Sequence, residues 1–136
     1  MPAAGLPKAR FVPLSGRSRV VYYYAPERIP YAIDRYVNET RRLFGVVERA
    51  LAESEYLAGD YSIADIASFP WMRGYPRQGL NIEEFPNVQR WLAVIEARPA
   101  VQKGLQLLAE ARRSPDQPLS DEERQILFGD RQYQRR

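Results

Sequence analysis

The stretch "YLAGDYSIADIASFPW", Tyr56 to Trp71, decides how the chain folds. Gly59 and Asp60 are turn residues, and Ser62 and Asp65 stand at N-cap and N3 spacing, a capping box with Asp where Glu is usual. The serine oxygen accepts a hydrogen bond from a helix N–H that has no partner within the helix, and losing such a cap costs about 1 kcal/mol. Tyr61 and Ile66 occupy the two positions of a hydrophobic staple, which fixes how the chain enters the helix. Pro70 lacks the N–H that a helix interior requires, so the helix is expected to kink or end between Ser68 and Trp71.

Upstream, Pro30 suits a first helical position, since its fixed φ fits and its missing N–H would be unpaired there anyway. From it, Ile33, Tyr36, Val37, Thr40, Leu43, Phe44, Val47 and Leu51 recur at three- and four-residue steps as one apolar stripe, predicting a helix to Glu53. At 1.5 Å per residue it is about 36 Å long, the height of a small helical domain. Downstream, "NIEEFPNVQRWLAVIEARP" gives a third helix with Pro86 near its start and Val88, Trp91, Leu92 and Ile95 as its buried side. Glu83 and Glu84 suit the positive end of its dipole better than they suit acid–base work, because no partner stands across a cleft. Pro99 opens a fourth helix with Val101, Leu105 and Leu108 inward. After the loop "SPDQP", Ser120 and Glu123 repeat the capping-box spacing, and Gly129 stands at the C-terminal cap of a last short helix. Nothing alternates as a strand does, so the fold class is all-α, a helical bundle.

The 136 residues suit one core, and 45% hydrophobic with 27% charged residues is the composition of an ordinary soluble protein. With neither cysteine nor histidine in the sequence, disulfides, thiol nucleophiles, histidine bases and the usual zinc sites are excluded, and no residue is assigned to catalysis or to a metal. Neither a membrane span nor a secretory signal is present, which points to the cytoplasm. A net charge of +3 is too small to favour nucleic acid without a motif. Met1 to Val21 carries Lys8, Arg10, Arg17 and Arg19 without periodicity, and is read as a disordered, solvated tail rather than a basic arm.

The long helix, the "YLAGDYSIADIASFPW" block and the "FPNVQRWLAVIEARPAVQKG" block, in that order, resemble the C-terminal helical domain of glutathione transferases. "YAPERIPYAIDRYVNETRRLFGVVERAL" and "LSDEERQILFG" are similar to the Ure2-like, or Nu-class, branch that includes disulfide-bond oxidoreductases. The resemblance implies glutathione as co-substrate, with a small hydrophobic electrophile or a disulfide as the second substrate, and a homodimer or a thioredoxin-like domain as partner. It implies a structural role for Tyr61, Ser62, Asp65 and Ile66. It carries over Arg35 as a residue that reaches glutathione, a guanidinium being apt for its carboxylates. An exposed helix charge paired with Glu39 is the other reading of Arg35. Tyr31, one turn earlier, lines the same hydrophobic pocket or packs the helix.

In that family a thioredoxin-like domain that stabilises the glutathione thiolate ordinarily precedes these helices. Here it is read as absent, leaving a domain that is weakly active or inactive alone, encoded by a truncated or frame-disrupted gene. The expected division is residues 1–23 disordered or non-native, 24–113 the transferase-like helical domain, and 114–136 a tail with a short helix. A free-standing helical module for protein partners is the alternative.

Overall fold

The structure is a computed structural model and describes residues 16–107, 109 and 118–133. It comprises two compact units, Met1–Leu105 and Gln106–Arg136. Among the described residues it is all-α, with helices α1 (Pro30–Glu53), α2 (Ile63–Met72), α3 (Pro86–Glu96), α4 (Pro99–Gln106) and α5 (Asp121–Phe128). Two isolated bridge pairs in the turn at Tyr56–Asp60 are the extended pairing described. No helix is long and apolar enough to cross a membrane.

In the first unit α1 buries Thr40, Leu43, Phe44, Val47 and Leu51, and α3 buries Val88, Trp91, Leu92 and Ile95. Phe69 and Met72 of α2 complete this core, with Phe44 tilted against Phe85 at 5.4 Å between ring centroids. Tyr36 and Ile33, at the start of the same stripe, are only half-buried. Helix α2 runs past Pro70 to Met72 instead of ending there. The proline costs one hydrogen bond, but the Arg73 N–H donates to the Phe69 carbonyl at 2.9 Å and closes the last turn.

The two longest helices of this unit cap each other. Glu48 of α1 lies at the start of α3, where Oε1 accepts from the Asn87 N–H at 3.1 Å and Oε2 from the Val88 N–H at 2.9 Å. Pro86 has no N–H, and the Gln89 N–H already reaches the Phe85 carbonyl, so every donor of that first turn is satisfied. In return Arg90 of α3 donates to the carbonyls of Leu51, Ser54 and Glu55 at the end of α1, at 2.9 to 3.4 Å. Each charge also sits at the dipole end that favours it. Glu48→Ala is expected to cost about 2 kcal/mol, because it leaves two part-buried N–H groups without acceptors, and Arg90→Ala about 1 kcal/mol. Urea unfolding midpoints at constant slope measure both.

Residues 16–23, expected to be disordered, are helical: 16–19 form a helical turn and Val20–Tyr24 a π-helix. A five-residue π-helix does not present the 3.6 period by which helices are read, which is why the segment shows no pattern. It is held by packing. Gly79, at φ 74°, lies under Tyr22 so closely that a Cβ would come within 2.8 Å of the ring. Any side chain at position 79 would meet both that contact and a left-handed backbone. Met1 to Ser15, expected to belong to the same disordered tail, lie outside the described residues.

In the second unit Ser120 caps α5, its Oγ accepting from the Glu123 N–H at 3.2 Å while Glu123 Oε2 accepts from the Ser120 N–H at 2.8 Å. Gly129 follows as C-cap, donating to the Gln125 carbonyl, and a 3-10 turn spans Asp130–Tyr133. Most of the "SPDQP" loop and the side chain of Leu108 lie outside the described residues.

Candidate functional site

Two places bear on function: the open face at the start of α1 and the buried box that seats α2. Tyr31 and Arg35 are four residues apart on α1 and therefore share a face. Tyr31 is 80% exposed, and Ile29, just before the helix, is 53% exposed, so a helix-packing role for Tyr31 is not what the structure shows. Arg35 is also exposed and has no ion-pair or hydrogen-bond partner among the described residues. Its alternative partner is committed elsewhere: both oxygens of Glu39 accept from Arg42, at 2.7 and 2.8 Å. That hydrogen bond, with the charge of Glu39, raises the Arg42 pKa. Arg35 and Tyr31 are thus brought together as a cation and a phenol facing solvent.

The box around Asp65 is more elaborate than its spacing suggests. Ser62 Oγ accepts from the Ala64 N–H at 3.2 Å, and Asp65 Oδ2 accepts from the Ser62 N–H at 3.0 Å. The other oxygen, Oδ1, accepts from the Leu57 N–H at 3.0 Å and from Trp91 Nε1 at 2.8 Å. Asp65 is wholly buried, and this one carboxylate ties the 56–60 turn, the start of α2 and the middle of α3 together. The two tryptophans differ: the structure buries Trp91 completely but Trp71 only in part.

The staple is different from the expectation. Ile66 remains 55% exposed, and Tyr61 instead lies edge-on to Tyr56 at 5.5 Å with the Arg98 guanidinium 3.6 Å from its ring centroid. An arginine stacked on the ring offers the tyrosine both attraction and cover, which an isoleucine on the outer side of α2 does not. Arg98 follows α3 directly, and nothing in the local pattern of either segment pairs it with Tyr61. Glu83 and Glu84 are exposed, with Glu84 paired to Arg41 at 3.1 Å. Among the described residues no group of three acidic side chains is placed to hold a metal ion.

These features define a helical domain of the glutathione transferase type. Residues 20–99 match the family described as glutathione S-transferase, C-terminal domain, and the chain belongs to it. The match opens at Val20, inside the π-helix, four residues before the similarity evident at Tyr24. The chain is 42% identical over 94 residues to the disulfide-bond oxidoreductase YfcG of Escherichia coli, covering 68% of this chain and 44% of that protein. Its fold superposes on the glutathione transferase URE2P6 of Phanerochaete chrysosporium, solved with oxidized glutathione, with a TM-score of 0.69 and 34% identity over 75% of this chain and 49% of that one. A glutathione transferase of Pseudomonas putida, solved with one glutathione disulfide per subunit, gives 0.67 and 38% over 74% and 47%. The chain therefore spans about half the length of the relatives it matches.

Proposed function

We propose that the chain forms the second-substrate wall and part of the subunit interface of a glutathione transferase, one that conjugates glutathione to an electrophile or reduces a disulfide with it, in the cytoplasm. The thiolate would be stabilised by a thioredoxin-like partner domain, and the helices described here would position what the thiolate attacks. The observation that supports this reading is the Arg35–Tyr31 face. Both side chains are exposed, four residues apart, and Arg35 has no partner within the described residues. A free guanidinium fork suits the carboxylates of a peptide such as glutathione, and the phenol suits the apolar body of its companion.

The test grafts residues 30–106 in place of the corresponding helices of the Escherichia coli relative. The chimera is expected to reduce a small disulfide with glutathione. Arg35→Ala in the chimera should raise the KM for glutathione about tenfold or more with a smaller effect on kcat, as loss of a charge-assisted hydrogen bond does. Arg35→Lys should recover part of that loss. A folded chimera without turnover would remove the pocket-wall reading, and an Arg35→Ala chimera with unchanged KM would remove the role of Arg35.

A further inference from the structure

The ion-paired arginines each meet a carboxylate: Arg41 and Arg42 of α1 meet Glu84 and Glu39, Arg73 just after α2 meets Glu96, and Arg131 meets Glu122. A different arrangement surrounds the π-helix. Arg28 lies over the Tyr22 ring at 5.6 Å, Arg77 over Tyr23 at 5.5 Å and Arg19 over Tyr24 at 5.5 Å. Tyr23 and Tyr24 meet edge to face at 4.8 Å, so Arg77 and Arg19 flank one aromatic pair. None of Arg17, Arg19, Arg28 and Arg77 is in an ion pair among the described residues, and Glu27 is the one acidic residue between positions 16 and 29. Stacking fixes the Arg28 and Arg77 guanidinium groups through their faces while leaving their N–H edges able to donate, whereas Arg19 already donates from Nη2 to the Tyr24 hydroxyl at 3.1 Å.

A second observation falls at the same place. Ser18 Oγ, Arg19 Nε and Gln78 Oε1 are buried without a hydrogen-bond partner, and Ser18 and Gln78 are 0% and 2% exposed. Gln78 adjoins Gly79, on which Tyr22 packs, and its amide nitrogen donates to the Trp71 carbonyl at 3.0 Å. Each unpaired buried polar atom carries a desolvation cost that no hydrogen bond offsets. Three of them beside a group of unneutralised cations mark hydrogen-bonding capacity that the chain itself does not use. Short π-helical segments recur at functional sites for a related reason, since the irregular backbone is retained against its cost.

We propose that Arg28 and Arg77, arrayed on Tyr22 and Tyr23, form a binding site for a small oxyanion carrying two or more negative charges. Guanidinium edges would hold its oxygens in bidentate pairs, and the tyrosine rings would keep those edges in place. A small ligand fits better than a nucleic acid strand, because the unpaired groups are confined to the contact between the π-helix and the 75–79 turn and form no extended track. The site uses residues other than Arg35 and Tyr31 and stands whether or not that face holds glutathione.

The experiment is calorimetric titration of the 136-residue chain with citrate and, separately, with inorganic pyrophosphate at low ionic strength. Saturable binding of one equivalent is expected, with the tighter of the two probes telling a carboxylate ligand from a phosphate ligand. Arg28→Gln and Arg77→Gln should each weaken it about tenfold while keeping the helical circular dichroism, and Arg49→Gln, an exposed arginine elsewhere on α1, should leave it unchanged. Arg28 is exposed, so its variant keeps the test valid if Arg77→Gln fails to fold. The proposal is overturned if neither probe saturates, or if Arg49→Gln weakens binding as much as the others. Displacement of both probes by a single-stranded oligonucleotide, with a steep salt dependence, would overturn it in favour of a nucleic acid surface.

Discussion

Asp65→Ala is expected to destabilise the first unit by about 4 kcal/mol, lowering its melting temperature by roughly 15–30 °C. The magnitude follows from what the carboxylate holds. Its two oxygens accept from the Leu57 and Ser62 N–H groups and from Trp91 Nε1, all within 3.0 Å, and the residue has no exposed surface. Alanine would leave two backbone donors and an indole N–H facing an apolar space, each at a cost of about 1–3 kcal/mol, partly relieved where the turn at 56–60 opens to water. Ser62→Ala removes only the cap to Ala64 and should cost about 1 kcal/mol. The ratio between the two variants is the informative quantity. If Asp65 served only as the N3 member of a capping box, both would cost the same, and thermal denaturation followed by circular dichroism would show equal shifts.

That contrast also shows where the sequence is legible. The buried residues of α3 and the central run of the α1 stripe follow from period alone, because a helix that packs on one side must repeat its apolar positions at three- and four-residue steps. The Ser62–Asp65 box is equally local, since donor and acceptor are three residues apart. The bonds that join the helices are not local: Trp91 is 26 residues from Asp65, and Glu48 reaches Asn87 across 39. No pattern along the chain encodes such pairs, because each depends on which helices become neighbours. Tyr31 fails differently. It lies on the face of Arg35, off the stripe that runs from Ile33 to Leu51, so periodicity gives it no buried neighbours. The helical segment at 16–23 is not legible because five consecutive π-helical residues do not carry the 3.6 period by which helices are recognised.

Trp91→Ala should cost about 4 kcal/mol, the loss for removing a fully buried large aromatic. Most of that is packing: the indole lies edge-on to Phe69 at 6.3 Å, in the layer between α2 and α3. Trp91→Phe separates the packing from the polar part, because phenylalanine keeps an aromatic ring there and removes only the N–H and some volume. In the native background it should cost about 2 kcal/mol, of which about 1–1.5 kcal/mol is the hydrogen bond to the Asp65 carboxylate. In an Asp65→Ala background the same change should cost less than 1 kcal/mol, since the indole N–H then has no acceptor to lose. The coupling between the two sites is therefore expected to be about 1–2 kcal/mol, large for residues 26 apart and obtainable from four urea titrations. Additive costs would mean that the 2.8 Å contact contributes nothing net. The turn at 56–60 would then be held to α2 alone, and α3 would owe its place to apolar packing and to the reciprocal caps of Glu48 and Arg90.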